Sequence, residues 1–468
     1  MDPRTRLLLE APVATTILRL AGPNVLVMLV QASIGLIETY FVAKLGLDAL
    51  TGMAIVFPLV MLLTMISAGA MGGGIMSAVA RALGAGNKDR ANELVWSAVL
   101  ITVLFGALIT VLALVFGPKL YALMGGEGAS LQAATTYAGI VFAGAIPLWL
   151  YNSFAAVIRA TGNMVFPASV MIAGAVVLIP LSPVLIFGLG PFPQLGVAGG
   201  ALAVVAYYVI GFFVFVWYLW SGRGVLKPAA WPKRIAFDQL ADILNVGATS
   251  SIVSLSTNVT IAMATGLAGN IGPAAVAGYG TGARLEYLLV PLVFGLGAPV
   301  AAMVGTAIGA GKRERALRVA WVGAAIAFAI TEAIGIAAAF FPAAWLTLFG
   351  TEPSMVATGA EYLRIVGPIY GFFGGGLLLY FASQGAGRVG FAMGIAVVRV
   401  VIAAGGGYAA VVLLHGSSAI LFAILAAALV IYGLLNAAAV ASGVWFRRRV
   451  PVKLMPQPLQ AAPAAPDP

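Results

Sequence analysis

Gly84-Ala-Gly-Asn-Lys-Asp-Arg-Ala-Asn-Glu-Leu-Val-Trp96 and Gly309-Ala-Gly-Lys-Arg-Glu-Arg-Ala-Leu-Arg-Val-Ala-Trp321 are two copies of one stretch, 225 residues apart. Gly84, Gly86, Arg90, Ala91 and Trp96 recur as Gly309, Gly311, Arg315, Ala316 and Trp321. The same offset relates Arg159-Ala-Thr-Gly162 to Gln384-Gly-Ala-Gly387, and Gly22 to Gly247. The chain is therefore two related halves. Each half is strongly apolar, which is the usual build of a duplicated secondary transporter in a membrane.

Composition supports this. Of 468 residues, 62% are hydrophobic and 9% charged, with a mean hydropathy of +1.06. A soluble domain carries roughly 25% charged residues. With so few, the surface has to face lipid. The net charge of +10 does not point to nucleic acid, because the basic residues sit in short loops between apolar spans. Cysteine is absent, which excludes disulfides, thiolate metal sites and Cys nucleophiles. The opening Met1-Asp2-Pro3-Arg4-Thr5-Arg6 has no cleavable-signal pattern.

A crossing needs roughly 20 apolar residues. Twelve such stretches are legible, near 15–40, 50–78, 93–116, 132–156, 165–188, 197–220, 243–266, 274–306, 318–341, 357–382, 390–413 and 418–444. The expected architecture is all-α and polytopic, with twelve transmembrane helices in two pseudo-symmetric six-helix bundles. Residues 1–220 form the first bundle and 241–446 the second. Segment 221–240 is a cytoplasmic linker, and 447–468 a basic, then Pro/Ala-rich and disordered, cytoplasmic tail.

Placing the N-terminus inside puts Arg4, Arg6, Arg81, Lys88, Arg90, Arg159, Arg388, the linker cations Arg223, Lys227, Lys233 and Arg234, the Lys312–Arg315 run, Arg447–Arg449 and Lys453 on one side. Little beyond Lys44 and Lys119 falls on the other. This asymmetry predicts a multi-pass inner-membrane protein with both termini cytoplasmic. Six spans per half is even, so the halves are parallel repeats about an axis along the membrane normal.

The first span carries Asn24, Gln31 and Glu38 at seven-residue spacing, close to one helix face. An ionisable residue at membrane depth is costly unless it faces a cavity or a partner. Burial favours the neutral form of a carboxylate, so Glu38 is a candidate for loading and releasing a proton or Na⁺. The alternative is a carboxylate solvated at the outer interface. Met263, its counterpart 225 residues on, is apolar; a purely architectural acid would more readily have had a polar mate. Pro23, at the foot of this span, is a candidate hinge.

The seventh span offers a neutral polar face: Ser251, Ser254, Asn258 and Thr265. Hydroxyls in membrane helices often bond back to their own backbone, so only Asn258 and Ser254 are retained as candidates for a substrate cavity, with Glu286 and Tyr287 of the eighth span. Arg284 and Glu286 are two apart and face different ways. Glu361 and Arg364 have the spacing of a pair, Glu332 has no local partner, and Arg399 is placed to snorkel. The runs Gly72–Gly74 and Gly374–Gly376 suit close packing or bending.

These residues resemble the multidrug and toxic compound extrusion (MATE) transporters of the MOP flippase superfamily over about 10–445. The matching stretches are Ile37-Glu38-Thr39, Phe41-Val42-Ala43-Lys44-Leu45-Gly46, Ala80-Arg81-Ala82-Leu83-Gly84-Ala85-Gly86, Ile158-Arg159-Ala160-Thr161-Gly162, Leu195-Gly196-Val197-Ala198-Gly199 and Arg284-Leu285-Glu286-Tyr287. The resemblance implies two bundles set as a V about a cleft open alternately to each side, and drug antiport against H⁺ or Na⁺. It places the family's first-helix acid on Glu38 and its first-helix proline on Pro23. The fifth-helix Asn-x-x-x-Asp-Pro pattern reads Leu178-Ile179-Pro180-Leu181-Ser182-Pro183 here, so two polar cation ligands are missing. Acids of one family branch fall near Thr257 or Asn258 and near Tyr370, so the second bundle is depleted too.

The expected function is secondary antiport by alternating access. Small amphipathic compounds, organic cations first, leave in exchange for H⁺, or for Na⁺ held near Glu38. No other cofactor is expected, the bilayer is the only other partner, and the protein is expected to act as a monomer. A lipid-linked oligosaccharide flippase is the alternative, with Arg284 and Arg399 the only cations to grip a pyrophosphate. An intramembrane enzyme lacks parts: His415 is the single histidine, and Gly84-x-Gly86 has no following Gly-Lys-Ser/Thr to make a phosphate loop.

Overall fold

The computed structural model describes residues 2–232 and 236–446. Lys233, Arg234 and the tail from Arg447 onward, to which the sequence assigns basic loops and a disordered end, lie outside the described residues. Among the described residues all regular structure is helical. A short helix, Pro3–Glu10, precedes the spanning helices.

The first half contains α1 (Val13–Ala43), α2 (Leu47–Gly84), α3 (Lys88–Leu123), α4, α5 (Val165–Phe187) and α6 (Val197–Trp220). The second contains α7 (Phe237–Ile271), α8 (Pro273–Gly309), α9 (Arg313–Phe340), α10 (Pro353–Gly385), α11 (Gly390–Leu413) and α12 (Ser418–Ala441). Eleven of these are long and apolar enough to cross a membrane. The twelfth, α4, is a pair, Gly128–Ala143 and Ala145–Ala160, bent by 48°. The bend falls at Gly144, between a helix end and the start of the next.

The repeated motif turns α2 into α3 and α8 into α9. Gly86 and Gly311 sit in matching left-handed positions, φ +76° and +72°. The following residues close the same reverse bonds, Asn87 N–H to Ala82 O at 3.0 Å and Lys312 N–H to Ala307 O at 2.9 Å. This is a glycine helix stop, and a Cβ would strain it. Asn87 then caps α3 by accepting the Arg90 N–H at 2.9 Å.

The repeated arginines hold the other half. Arg90 pairs with Asp238, at the start of α7, at 3.0 Å. Arg315 donates to Leu8 O at 3.0 Å and to Ala11 O at 2.6 Å, just before α1. Each motif thus grips the entry to the first helix of the opposite bundle.

The repeated first glycines set how close the bundles come. A Cβ on Gly84 would run into the Thr306 carbonyl, and one on Gly309 into the Arg81 carbonyl. The glycine run in α2 is also packing rather than bending: Gly73 lies on the Gln384 amide, and Gly74 on the backbone of Ile243 and Gly247.

Contacts between the bundles gather at this basic end. Ser77 donates to Gln384 O (2.5 Å) and Gly385 O (2.9 Å). Arg81 bonds Ser77 and pairs with Asp242 at 2.6 Å. Ser97 donates to Gln239, whose amide donates to Glu93. From this end the last such link is Asn258 to the Met65 sulfur, at 4.0 Å; beyond it no hydrogen bond joins the bundles among the described residues. The apolar core has the same asymmetry. The near halves of α8, α9 and α10 are continuous with the first bundle's core. The far half of the second bundle, with Ala264 to Leu289, Ala338, Leu346 to Phe373 and Ala403 to Leu429, forms a core of its own. The bundles are fused at one end and separate at the other.

Candidate functional site

Glu38 lies near the far end of α1 and is 8% exposed. Its Oε1 accepts the Tyr137 hydroxyl of α4 at 2.9 Å. The absence of a side chain at Gly200 of α6 leaves room beside it: a Cβ there would stand 3.5 Å from Oε1. The acid is thus enclosed by α1, α4 and α6, and solvation at an open interface does not describe it. Among the described residues Tyr137 is the one side chain bonded to it. A buried carboxylate with a single hydroxyl donor is a poor fixed charge and a good proton acceptor.

The other positions on that face do not join it. Gln31 and Asn24 stand one and two heptads below, about 10 and 21 Å along the axis at the usual helical rise. Gln31 is partly buried. Asn24 is 6% exposed, and its Nδ2 has no partner. Pro23 sits inside α1, which runs unbroken over it. In α5, Leu178 and Ser182 are both buried, and the Ser182 hydroxyl has no partner.

Asn24 instead faces a small cavity, about 30 Å³, at the seam between the bundles. Arg159 of α4 and Gln384 of α10 share its wall with Met28, Phe294 and Phe381. These two are the mates in the second repeat. Gln384 crosses the seam, donating to Gly69 O at 3.1 Å and to Ser250 at 3.0 Å. The Gly69 carbonyl belongs to a π-helical turn, Met65–Met71. Such turns widen the helix and redirect its carbonyls.

The second bundle holds its own polar cluster. Arg399 is 4% exposed; it donates to Thr257 at 2.9 Å and lies over the Tyr432 ring. Its Nε has no partner. Glu286 accepts the Tyr362 hydroxyl at 3.2 Å. Both border one cavity of about 30 Å³ with Tyr279 and Thr260. Arg399 therefore does not snorkel: α7 and α12 enclose it in the bundle.

Glu361 does not pair with Arg364. It accepts the Ser418 hydroxyl at 2.5 Å, while Arg364 is exposed. Glu332 has a backbone partner, the Gly371 N–H at 2.7 Å. Arg284 points outward over Phe349, away from Glu286. On α7, Ser251, Ser254, Asn258 and Thr265 all bond back to carbonyls four residues earlier. Of these candidates Asn258 is exposed, and so is Tyr287. Two wider grooves, about 370 Å³ beside α5 and α6 and about 700 Å³ between α2, α3 and α7, are apolar and contain no carboxylate; a third, about 430 Å³ at the basic end, is polar and lined by Asp89, Glu93 and Lys227.

This build, twelve spans in two halves joined at one end with a buried acid in α1, can be set against known proteins. The model of one family, MatE, matches residues 23–184 and 246–409, taking in most of both halves. The chain belongs to the MatE family. Members are transporters and not enzymes. A relative in Shewanella oneidensis, an FAD transporter, is 28% identical over 379 residues, 80% of this chain and 82% of its own length. A probable multidrug resistance protein of Bacillus subtilis is 28% identical over 74% of this chain and 75% of its own. Among solved structures, an outward-facing MATE transporter of the MOP superfamily superposes with a TM-score of 0.84. It is 22% identical, with 95% of this chain and 98% of that one covered. The match confirms the two-bundle fold expected from the duplicated motif.

Proposed function

We propose that this MatE chain is a proton-coupled antiporter that exports small amphipathic organic compounds, organic cations foremost, by alternating access. It works as a monomer in the inner membrane, with the basic end facing the cytoplasm. The observation that carries the reading is Glu38: a buried carboxylate with one hydroxyl donor, in a bundle whose α5 has Leu178 and Ser182 where the polar cation ligands of the resembled pattern would stand. A proton needs only that one group. Na⁺ needs several oxygens to replace its water.

The decisive experiment is flux in proteoliposomes with an imposed ΔpH or ΔNa⁺ across a panel of organic cations. Uphill movement driven by ΔpH at constant Na⁺ is expected. Movement driven only by ΔNa⁺ would remove the proton reading.

A second reading, export of a nucleotide-type cofactor, is favoured by one observation. The relative named as an FAD transporter matches four-fifths of this chain.

A further inference from the structure

The seam cavity at the basic end has an unusual donor balance. Arg159 lies at the last turn of α4, and its Nε donates to Ala155 O at 3.2 Å. Among the described residues no carboxylate lies within ion-pair distance of it. Across the cavity, Asn24 is 6% exposed and its buried Nδ2 has no acceptor. The lining has no acid at all: Met28, Met76, Phe294 and Phe381 supply apolar walls. Gln384 contributes wall rather than donors, because its Nε2 is committed to Gly69 O and Ser250.

A guanidinium keeps its charge in any protein setting and offers five N–H groups. Held beside an orphaned amide donor, with no counter-ion, it is a half-built anion site. In this closed state the cavity is about 30 Å³, which is room for one water. The bundles meet around it through separable contacts: Ser77 on the Gln384 and Gly385 carbonyls, and Arg81 on Asp242. Parting them would widen the cavity and turn both donors toward the solution on the basic side.

We propose that Arg159 and Asn24 form a recognition site for an anionic group, a phosphate or carboxylate, on the solute taken up at the basic end. Apolar walls on both bundles receive an aromatic or aliphatic body attached to that group. The chemistry is a charge-assisted, bidentate hydrogen bond from Arg159, with Asn24 donating from the α1 side. Closure of the seam then excludes the anion unless it has moved on toward the far end. This builds on the second reading above and commits it to a class of cargo.

The test is equilibrium binding to the full chain in nanodiscs, read by flavin fluorescence. Riboflavin, FMN and FAD share one ring system and differ in phosphate. FMN and FAD should bind about tenfold tighter than riboflavin, the size of effect one charge-assisted hydrogen bond supports. Arg159→Gln should level the three. Arg159→Lys should keep part of the preference. Orthophosphate should compete with FMN and not with riboflavin. Asp242→Asn, which loosens the seam, should raise FMN affinity, since a rarer open form binds more weakly in proportion to its population. Absence of FMN binding, equal affinities for the three flavins, or an intact preference in Arg159→Gln overturns the proposal. A protein that shows the preference but moves nothing under a proton gradient would sink the transport reading alone.

Discussion

Gly84 rests on the carbonyl of Thr306, and Gly309, its repeat mate, rests on the carbonyl of Arg81. Thr306 and Arg81 are themselves 225 positions apart, so one contact is made twice, in reverse. Reciprocal contacts of this kind are the mark of a two-fold interface between copies. Here the copies are fused in one chain, and the axis runs through the basic end. A methyl at either glycine pushes the ends apart. We expect Gly84→Ala or Gly309→Ala to destabilise the closed seam by about 1–3 kcal/mol, the usual cost of overpacking. A Cys placed at Asn24 in this Cys-free chain should then react faster with an impermeant maleimide applied at the basic end. Gly139→Ala, where no atom lies within 4 Å, is the control. Equal labelling in all three backgrounds would show that the glycine contact does not hold the seam.

Glu38→Gln keeps size and hydrogen bonding but removes ionisation. It should abolish gradient-driven exchange with little loss of folded protein. Glu38→Asp should retain part of the activity. Tyr137→Phe removes the one side-chain donor to the acid, so exchange should persist with an altered pH dependence. Met263→Ala, at the exposed pseudo-symmetric position, should leave coupling alone. Normal ΔpH-driven transport by Glu38→Gln would move coupling elsewhere, with Glu286 the next candidate.

Sodium gives a separate expectation. Neither added Na⁺ at constant pH nor a Na⁺ gradient should drive flux or release bound cargo, and the pH dependence should vanish in Glu38→Gln. Ser182→Asp, which puts a second carboxylate into the buried wall of α5, should be needed before any Na⁺ response appears. A Na⁺ response in the unaltered chain would require backbone oxygens around Pro180 and Pro183 as ligands.

Orientation is testable with the same Cys-free background. Single Cys near Arg90, at 228 and at 313 should label only from the cytoplasmic side, and those near Asp48 and Glu127 only from outside. Reversed labelling at two or more positions would invert the topology and with it the direction of export.

The duplication, the spans and the buried acid of α1 were legible because each leaves a one-dimensional trace: a repeat, an apolar run, a charge in that run. Partners across helices leave none. Tyr137 reads as one aromatic residue among many until α4 is packed on α1. The pairing of Glu361 with Arg364 satisfies helix spacing, yet Ser418 on α12 receives the acid instead. Seven-residue spacing put Asn24 and Glu38 on one face, but a face can cross two sites, and these two residues serve different ends of α1. The repeat did mark Arg159 and Gln384, though not that they would meet at one cavity.

Arg399 has a consequence for how the chain is made. An arginine near the middle of a membrane helix costs about 2.5–3.5 kcal/mol at insertion, and α11 carries one with Thr257 of α7 as its hydrogen-bond partner. The ribosome delivers α7 four helices earlier, so a receptor for the guanidinium already waits in the bilayer when α11 leaves the translocon. The expected outcome is an ordered biogenesis of the second half, with α7 in place to receive the guanidinium before α11 arrives. Thr257→Val should lower the yield of integrated protein more than the melting temperature of what does integrate, and a glycosylation-tag reporter on α11 would register the failure directly.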